Sequence, residues 1–180
     1  MKEQIWPAAY RTMRIRLVLL LALSAFIVVG CSTRQARILS ENKSVVLRSE
    51  AELWSQGNLA AADGLYSQDF VCHFVVGPEW RGMQGIKDVV ARHRRSFPDW
   101  NEKVEDIVAE GDRVVIRFTS TGTQEGEFQG IAPAGKKVKI VEVAIFRLVH
   151  GKIVEQWGVP DLQGLFEQLN KSNTNRQRPQ

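Results

Sequence analysis

The chain has 180 residues, 24 of them lysine or arginine and 20 aspartate or glutamate, for a formal charge of +4. Lys2, Arg11, Arg14, Arg16 and Glu3 lie in the first 30 residues, and without that segment 20 basic residues face 19 acidic ones. A nearly neutral remainder of 150 residues lacks the basic footprint of a nucleic-acid protein, and it is one domain's length, long enough to bury a core.

Arg11, Arg14 and Arg16 precede the apolar run LVLLLALSAFIVV (Leu17 to Val29), which has 13 residues. A spanning helix needs about 20. A basic segment, a short apolar stretch and a small residue before a cut are the layout of a secretory signal, and Met13 is a second candidate start. Val28-Val29-Gly30-Cys31 resembles the lipobox of bacterial lipoproteins, in which the cysteine thiol takes a lipid as a thioether and becomes the new N-terminus. Residues 1–30 are therefore expected to be a lipoprotein signal peptide, Cys31 the lipidation site and residues 31–37 a tether. That anchors the domain to a membrane of the bacterial envelope. Ser32 supplies no retention-type aspartate, which points to the outer membrane, facing the periplasm.

A helix is predicted from about Ser40 to Gln56, with Val46, Leu47, Glu50, Leu53 and Trp54 near helical spacing and Gly57-Asn58 as its stop. LAAADGLY (59–66) reads as a second short helix. DFVCHFVV is apolar on both faces, as a covered strand is. With Cys31 lipidated, Cys72 has no disulfide partner and reads as a small buried hydrophobe. Cys72 and His73 are adjacent on a strand, so they point to opposite faces and make no nucleophile–base pair. GPEWRGMQG (77–85) reads as a loop, and Ile86, Val89, Val90, His93 and Phe97 mark one face of a third helix that Pro98 stops. From Asn101 the period drops to two, with turns at Glu110-Gly111-Asp112 and His150-Gly151 and the loop QGIAPAG between two long strands. Pro160 and Asp161 open a last helix whose apolar face is Leu162, Leu165, Phe166 and Leu169, and residues 171–180 are polar and unpatterned. Helices followed by an antiparallel meander and a closing helix define an α+β fold.

Chemistry is sought where a polar group interrupts an apolar face. The even positions Val138, Ile140, Glu142, Ala144, Phe146 and Leu148 form such a face, with Glu142 its one carboxylate. Desolvation there would raise its pKa into the range of a general acid or base; the other reading is a structural pair with an arginine such as Arg81. His93 on its apolar stripe and His73 on its strand each admit a structural and a functional reading. Trp80, Trp100 and Trp157 suit either a core or a pocket, and Arg92, Arg94 and Arg95 read as a solvated face or as contacts to anionic headgroups. Three scattered histidines give no metal-ligand spacing, and there is no CxxC, HExxH or Gly-rich phosphate loop.

FPD, EGDRV, GTQEGEFQGIAPAGKKV, GKIVEQW and PDLQGLFEQL occur in that order between Phe97 and Leu169. Together they resemble the SnoaL-like polyketide cyclases, or ester cyclases, of the nuclear-transport-factor-2-like (NTF2-like) superfamily, over residues 38–170. The resemblance implies a cone of curved antiparallel sheet wrapped on about three N-terminal helices, enclosing an apolar cavity and often forming a homodimer. It implies an intramolecular aldol ring closure without metal or cofactor, using an aspartate near the end of the last strand. That position falls on Gly158, so the family's carboxylate is absent. The expected role is to hold a small apolar or amphipathic molecule, with Glu142 and His73 as candidate catalytic residues and His93, Gln156, Trp100 and Asp161 as candidate ligand contacts. The alternatives are a cyclase or isomerase using Glu142 as general base, and a non-catalytic interaction module.

Overall fold

The computed structural model describes residues 33–74 and 79–171, with no account of the Phe74 side chain. The expected signal peptide, the expected lipidation site Cys31 and the tail from 172 lie outside the described residues. The chain divides into two units, Met1–Ser40 and Glu41–Gln180. Of the first, residues 33–40 are described and are helical. The expected tether is thus helix over 33–37. Thr33-Arg34-Gln35-Ala36-Arg37 has no glycine or proline, and at exposed positions the high helix propensity of Arg, Gln and Ala decides.

In the second unit, α1 (41–55) changes to a π-wound form over Ser49–Ser55. Glu50 and Trp54 lie on that widened stretch, 3 % and 8 % exposed. Gly57, at φ +71°, ends it, and α2 (Ala61–Leu65) follows. Next come β1 (Tyr66–Phe74), β2 (Trp80–Arg81) and α3 (Gly82–Ser96). The segment read as a loop therefore holds a short strand, with Trp80 paired to Cys72, and the first residues of α3. β3 (Asn101–Glu110), β4 (Arg113–Gln124), β5 (Lys136–Val149), β6 (Lys152–Pro160) and α4 (Leu162–Asn170) complete the domain.

The six strands form one sheet in the order β2-β1-β6-β5-β4-β3. It is not wholly antiparallel: β1 lies parallel to β6, which the chain reaches only after β2, α3 and three further strands. The β5–β6 turn has His150 and Gly151 at φ +50° and +72°, the left-handed pair that a tight hairpin requires. Register shifts between Val104 and Asp106 on β3, and between Arg147 and Leu148 on β5, bend the sheet.

Alternation sorts the faces. Val114, Ile116, Phe118 and Ser120 of β4 and Val138, Ile140, Ala144, Phe146 and Leu148 of β5 are buried, whereas Val115, Val141, Val143 and Val159 are exposed on the outer face. One apolar cluster joins Leu53, Phe70, Ile86, Val90, Ile116 and Phe146. A second joins Phe97, Trp100, Val138, Ile140, Leu165 and Leu169, where α4 closes over the sheet.

Candidate active site

Members of both clusters line a cavity of about 900 Å³ inside the curved sheet. That is the size of a small-molecule site, for which the usual range is about 300–1,000 Å³. Its walls are mostly apolar and aromatic, with Trp54, Trp80, Trp100, Phe118, Phe128 and Phe166 among them. Arg94 fixes one side: its Nη1 donates to the carbonyls of Trp54 (3.0 Å), Ser55 (2.8 Å) and Trp100 (3.1 Å), tying the end of α1 to the entry of β3. Trp100 lies on Gly122 of β4, where an added Cβ would stand 2.7 Å from its Cε3.

Glu142 projects from the inward face of β5 into this cavity. Ser120 Oγ donates a short hydrogen bond to its Oε1. Burial first, then the nearby Glu102 charge, pushes its pKa up to about 8, and the Ser120 hydroxyl pulls the other way. The carboxyl is therefore mostly protonated at neutral pH, able to donate a proton and, once ionised, to take one.

Glu142 is not alone. Glu50 of α1 and Glu102 of β3 line the same cavity. Burial raises Glu50 to about 7 and holds Glu102 well above the carboxylate range. The Trp100 indole Nε1 donates to Glu102 Oε1 at 3.0 Å. Glu50 Oε1 and Glu102 Oε2 receive no N–H or hydroxyl donor from the protein, yet the two carboxyls interact directly. Both are satisfied when Glu102 keeps its proton and donates to Glu50. Among the described residues no set of three His, Cys, Asp or Glu is grouped to hold a metal ion.

His93 and Gln156 also line the cavity, with His93 Nε2 and Gln156 Oε1 unpartnered. Burial and the adjacent Arg94 charge lower His93 to about 4, so the ring is neutral at pH 7. It packs against Phe97 and Trp100, at centroid distances of 5.2 and 4.4 Å. Trp100 is 3 % exposed and lines the cavity.

His73 does not line the cavity. It bonds Glu79 (2.8 Å) through Nδ1 and Glu155 (3.4 Å) through Nε2 on the other side of the sheet, stacked on Trp157 at 5.2 Å. Its strand is apolar on both faces, so the pattern held no cue to direction. Asp161 is also outside: its Oδ1 accepts from the Gly164 N–H at 2.8 Å and caps α4. Cys72 is buried and unpaired, with its thiol pushed up to about 12 chiefly by burial.

A curved six-stranded sheet closed by helices over an acid-lined apolar cavity defines an NTF2-like cone. The profile of the SnoaL-like polyketide cyclases matches residues 44–169, and the chain belongs to that family. No curated protein matches it. Among solved structures, it is similar to a protein of Jannaschia sp. CCS1 assigned as a SnoaL-like polyketide cyclase, with 28 % identity over 73 % of this chain and 93 % of that one, at a TM-score of 0.69. AclR of Streptomyces galilaeus, assigned as a hydroxylase, is 32 % identical over 73 % of this chain and 96 % of its own, at a TM-score of 0.65. A protein of Acidithiobacillus ferrooxidans assigned as a polyketide cyclase is 26 % identical over 72 % and 94 %, at a TM-score of 0.66. Gly158, where the resemblance puts the family's aspartate, lines the cavity and brings no side chain.

Proposed function

We propose that this chain holds a small apolar or amphipathic molecule in its cavity and acts on it by cyclase-type acid–base chemistry, with Glu142 in the role of the carboxylate missing at Gly158. The observation that carries the reading is the Glu142 side chain, placed in the cavity wall beside Gly158 and shifted to about 8 by burial and a neighbouring carboxyl. As a carboxylate, Glu142 takes a proton from the carbon next to a substrate carbonyl. The resulting enolate carbon attacks a second carbonyl of the same molecule, closing a ring, and Glu142 returns the proton to the alkoxide so formed.

The reading extends to location. Lipid on Cys31 anchors the domain to the bacterial envelope, on the periplasmic side of the outer membrane. The exposed Val115, Val141, Val143 and Val159 on the outer sheet face support a homodimer formed through that face. Mass spectrometry of small molecules that co-purify with the protein supplies the substrate for a turnover assay. Glu142→Gln is expected to lower turnover about 10²–10⁴-fold, and turnover equal to that of the unaltered protein removes Glu142 from the role.

A further inference from the structure

The acid–base reading uses Glu142 and leaves Glu50 and Glu102 without a full account. A buried carboxyl costs free energy unless a cation or donors compensate it. Neither Glu50 nor Glu102 makes an ion pair among the described residues, and Glu50 Oε1 and Glu102 Oε2 have no donor there but the single proton the two carboxyls share. The two arginines on the cavity wall, Arg92 and Arg95, are exposed to solvent.

Two independent features of the same cavity accompany the pair. Trp54, Trp80 and Trp100 line the same space, with Trp54 and Trp80 centroids 6.3 Å apart and the Trp100 indole hydrogen-bonded to Glu102. Indole faces attract a cation within about 6 Å, most strongly where water is excluded. Gln156, 7 % exposed, presents an unpartnered Oε1 on the cavity wall. Carboxyl oxygens, an amide oxygen and indole faces together lack what an ammonium group supplies: positive charge and several N–H donors.

We propose that Glu50, Glu102 and these indoles form the seat for the cationic head of the cavity's occupant, whose class is a protonated amine on an apolar body. This rests on the reading of the cavity as a small-molecule site and adds the substrate class. With one proton shared between them, Glu50 and Glu102 carry a single negative charge, which one ammonium neutralises. The other titratable groups around the pair are Glu142 from β5, His93 and Arg94 from α3 and Tyr66 from β1; the Arg94 guanidinium donates to the carbonyls of Trp54, Ser55 and Trp100, and the Tyr66 hydroxyl is hydrogen-bonded to Ser49 at 2.7 Å. His93 is neutral throughout the tested range because its pKa is lowered to about 4. Burial raises Tyr66, so it too stays neutral.

Calorimetric titration of the full chain with tryptamine, tryptophol and indole-3-propionate tests this, since the three probes share an indole body and differ in head group. Tryptamine is expected to bind about tenfold or more tightly than tryptophol near pH 8, and indole-3-propionate most weakly. Its advantage shrinks toward about pH 5.5, where Glu50 is protonated, while tryptophol binding does not change. Glu50→Gln and Glu102→Gln each remove the advantage; the pH series gives the same reading on the unaltered protein should either variant fail to fold. Equal binding of tryptamine and tryptophol, or tighter binding of the acid, overturns the inference and leaves the cavity reading intact, because a neutral or acidic probe is then bound. Binding by none of the three overturns the inference, whereas the role of Glu142 is judged separately by turnover of Glu142→Gln.

Discussion

Glu142 of β5 and Gly158 of β6 face one cavity from adjacent strands, diagonally across their ladder: Glu142 stands opposite Pro160 and Gly158 opposite Ala144. The position that the family resemblance reserves for an aspartate is bare, and a carboxyl enters the same space from the next strand. Diagonal neighbours lie about 7–8 Å apart, near enough for a group on one strand to take over chemistry placed on the other.

Gly158→Asp follows from this relationship. Gly158 lies in a regular strand and is not among the left-handed glycines, so its backbone accepts a side chain. A second negative charge at that distance is expected to raise the Glu142 midpoint by roughly one to two pKa units. Carbon-detected titration of the variant and the unaltered protein measures it. An unchanged midpoint would show that the two positions do not share a space.

Stability should fall as pH rises. Folding holds the Glu142 carboxyl at about 8 against its usual 4.5, so the native state keeps a proton that the unfolded chain loses. The stabilisation is complete below the unfolded value and is lost as pH climbs through the folded one. At about 1.4 kcal/mol per pKa unit the loss is roughly 2–5 kcal/mol; Glu50 and Glu102, raised for the same reason, act in the same direction. Urea unfolding at about pH 5 and about pH 9 should show a lower midpoint at the higher pH, and Glu142→Gln should reduce the difference. A midpoint that rises with pH contradicts the buried-carboxyl account.

Cys31→Ala tests the anchor. The thiol is the only group at the lipobox able to form the thioether, so the variant is expected to persist as an uncleaved precursor without label from radioactive fatty acid. Normal labelling of the variant would place the lipid elsewhere.

Most of the fold was legible because its signals are local. His150-Gly151, the even face of β5 and the proline that stops α3 were each readable from a few residues. The parallel β1–β6 contact was not, since nothing within either strand records a neighbour about 80 residues away in the chain. In the site, Glu142 stood out against five apolar neighbours on its face. Glu50 carried the same signal on its helical stripe, between Val46 and Trp54, but a lone glutamate there also fits a solvated edge. Glu102 was hidden by the β3 bulge: inward residues run 102, 104, then 107, 109, so no strict alternation assigns its face. His73 shows the converse, a polar residue on a strand apolar on both sides, whose outward direction only the sheet decides.

The most direct test of the account is the pKa of Glu142 itself, followed by carbon-detected NMR of the side-chain carboxyl in the unaltered protein and assigned by its loss in Glu142→Gln. The account predicts a midpoint of about 8, a carboxyl protonated at neutral pH inside the cavity. A midpoint at the ordinary value of 4.5 would mean a hydrated side chain, and would contradict its placement inside the cavity beside Glu102.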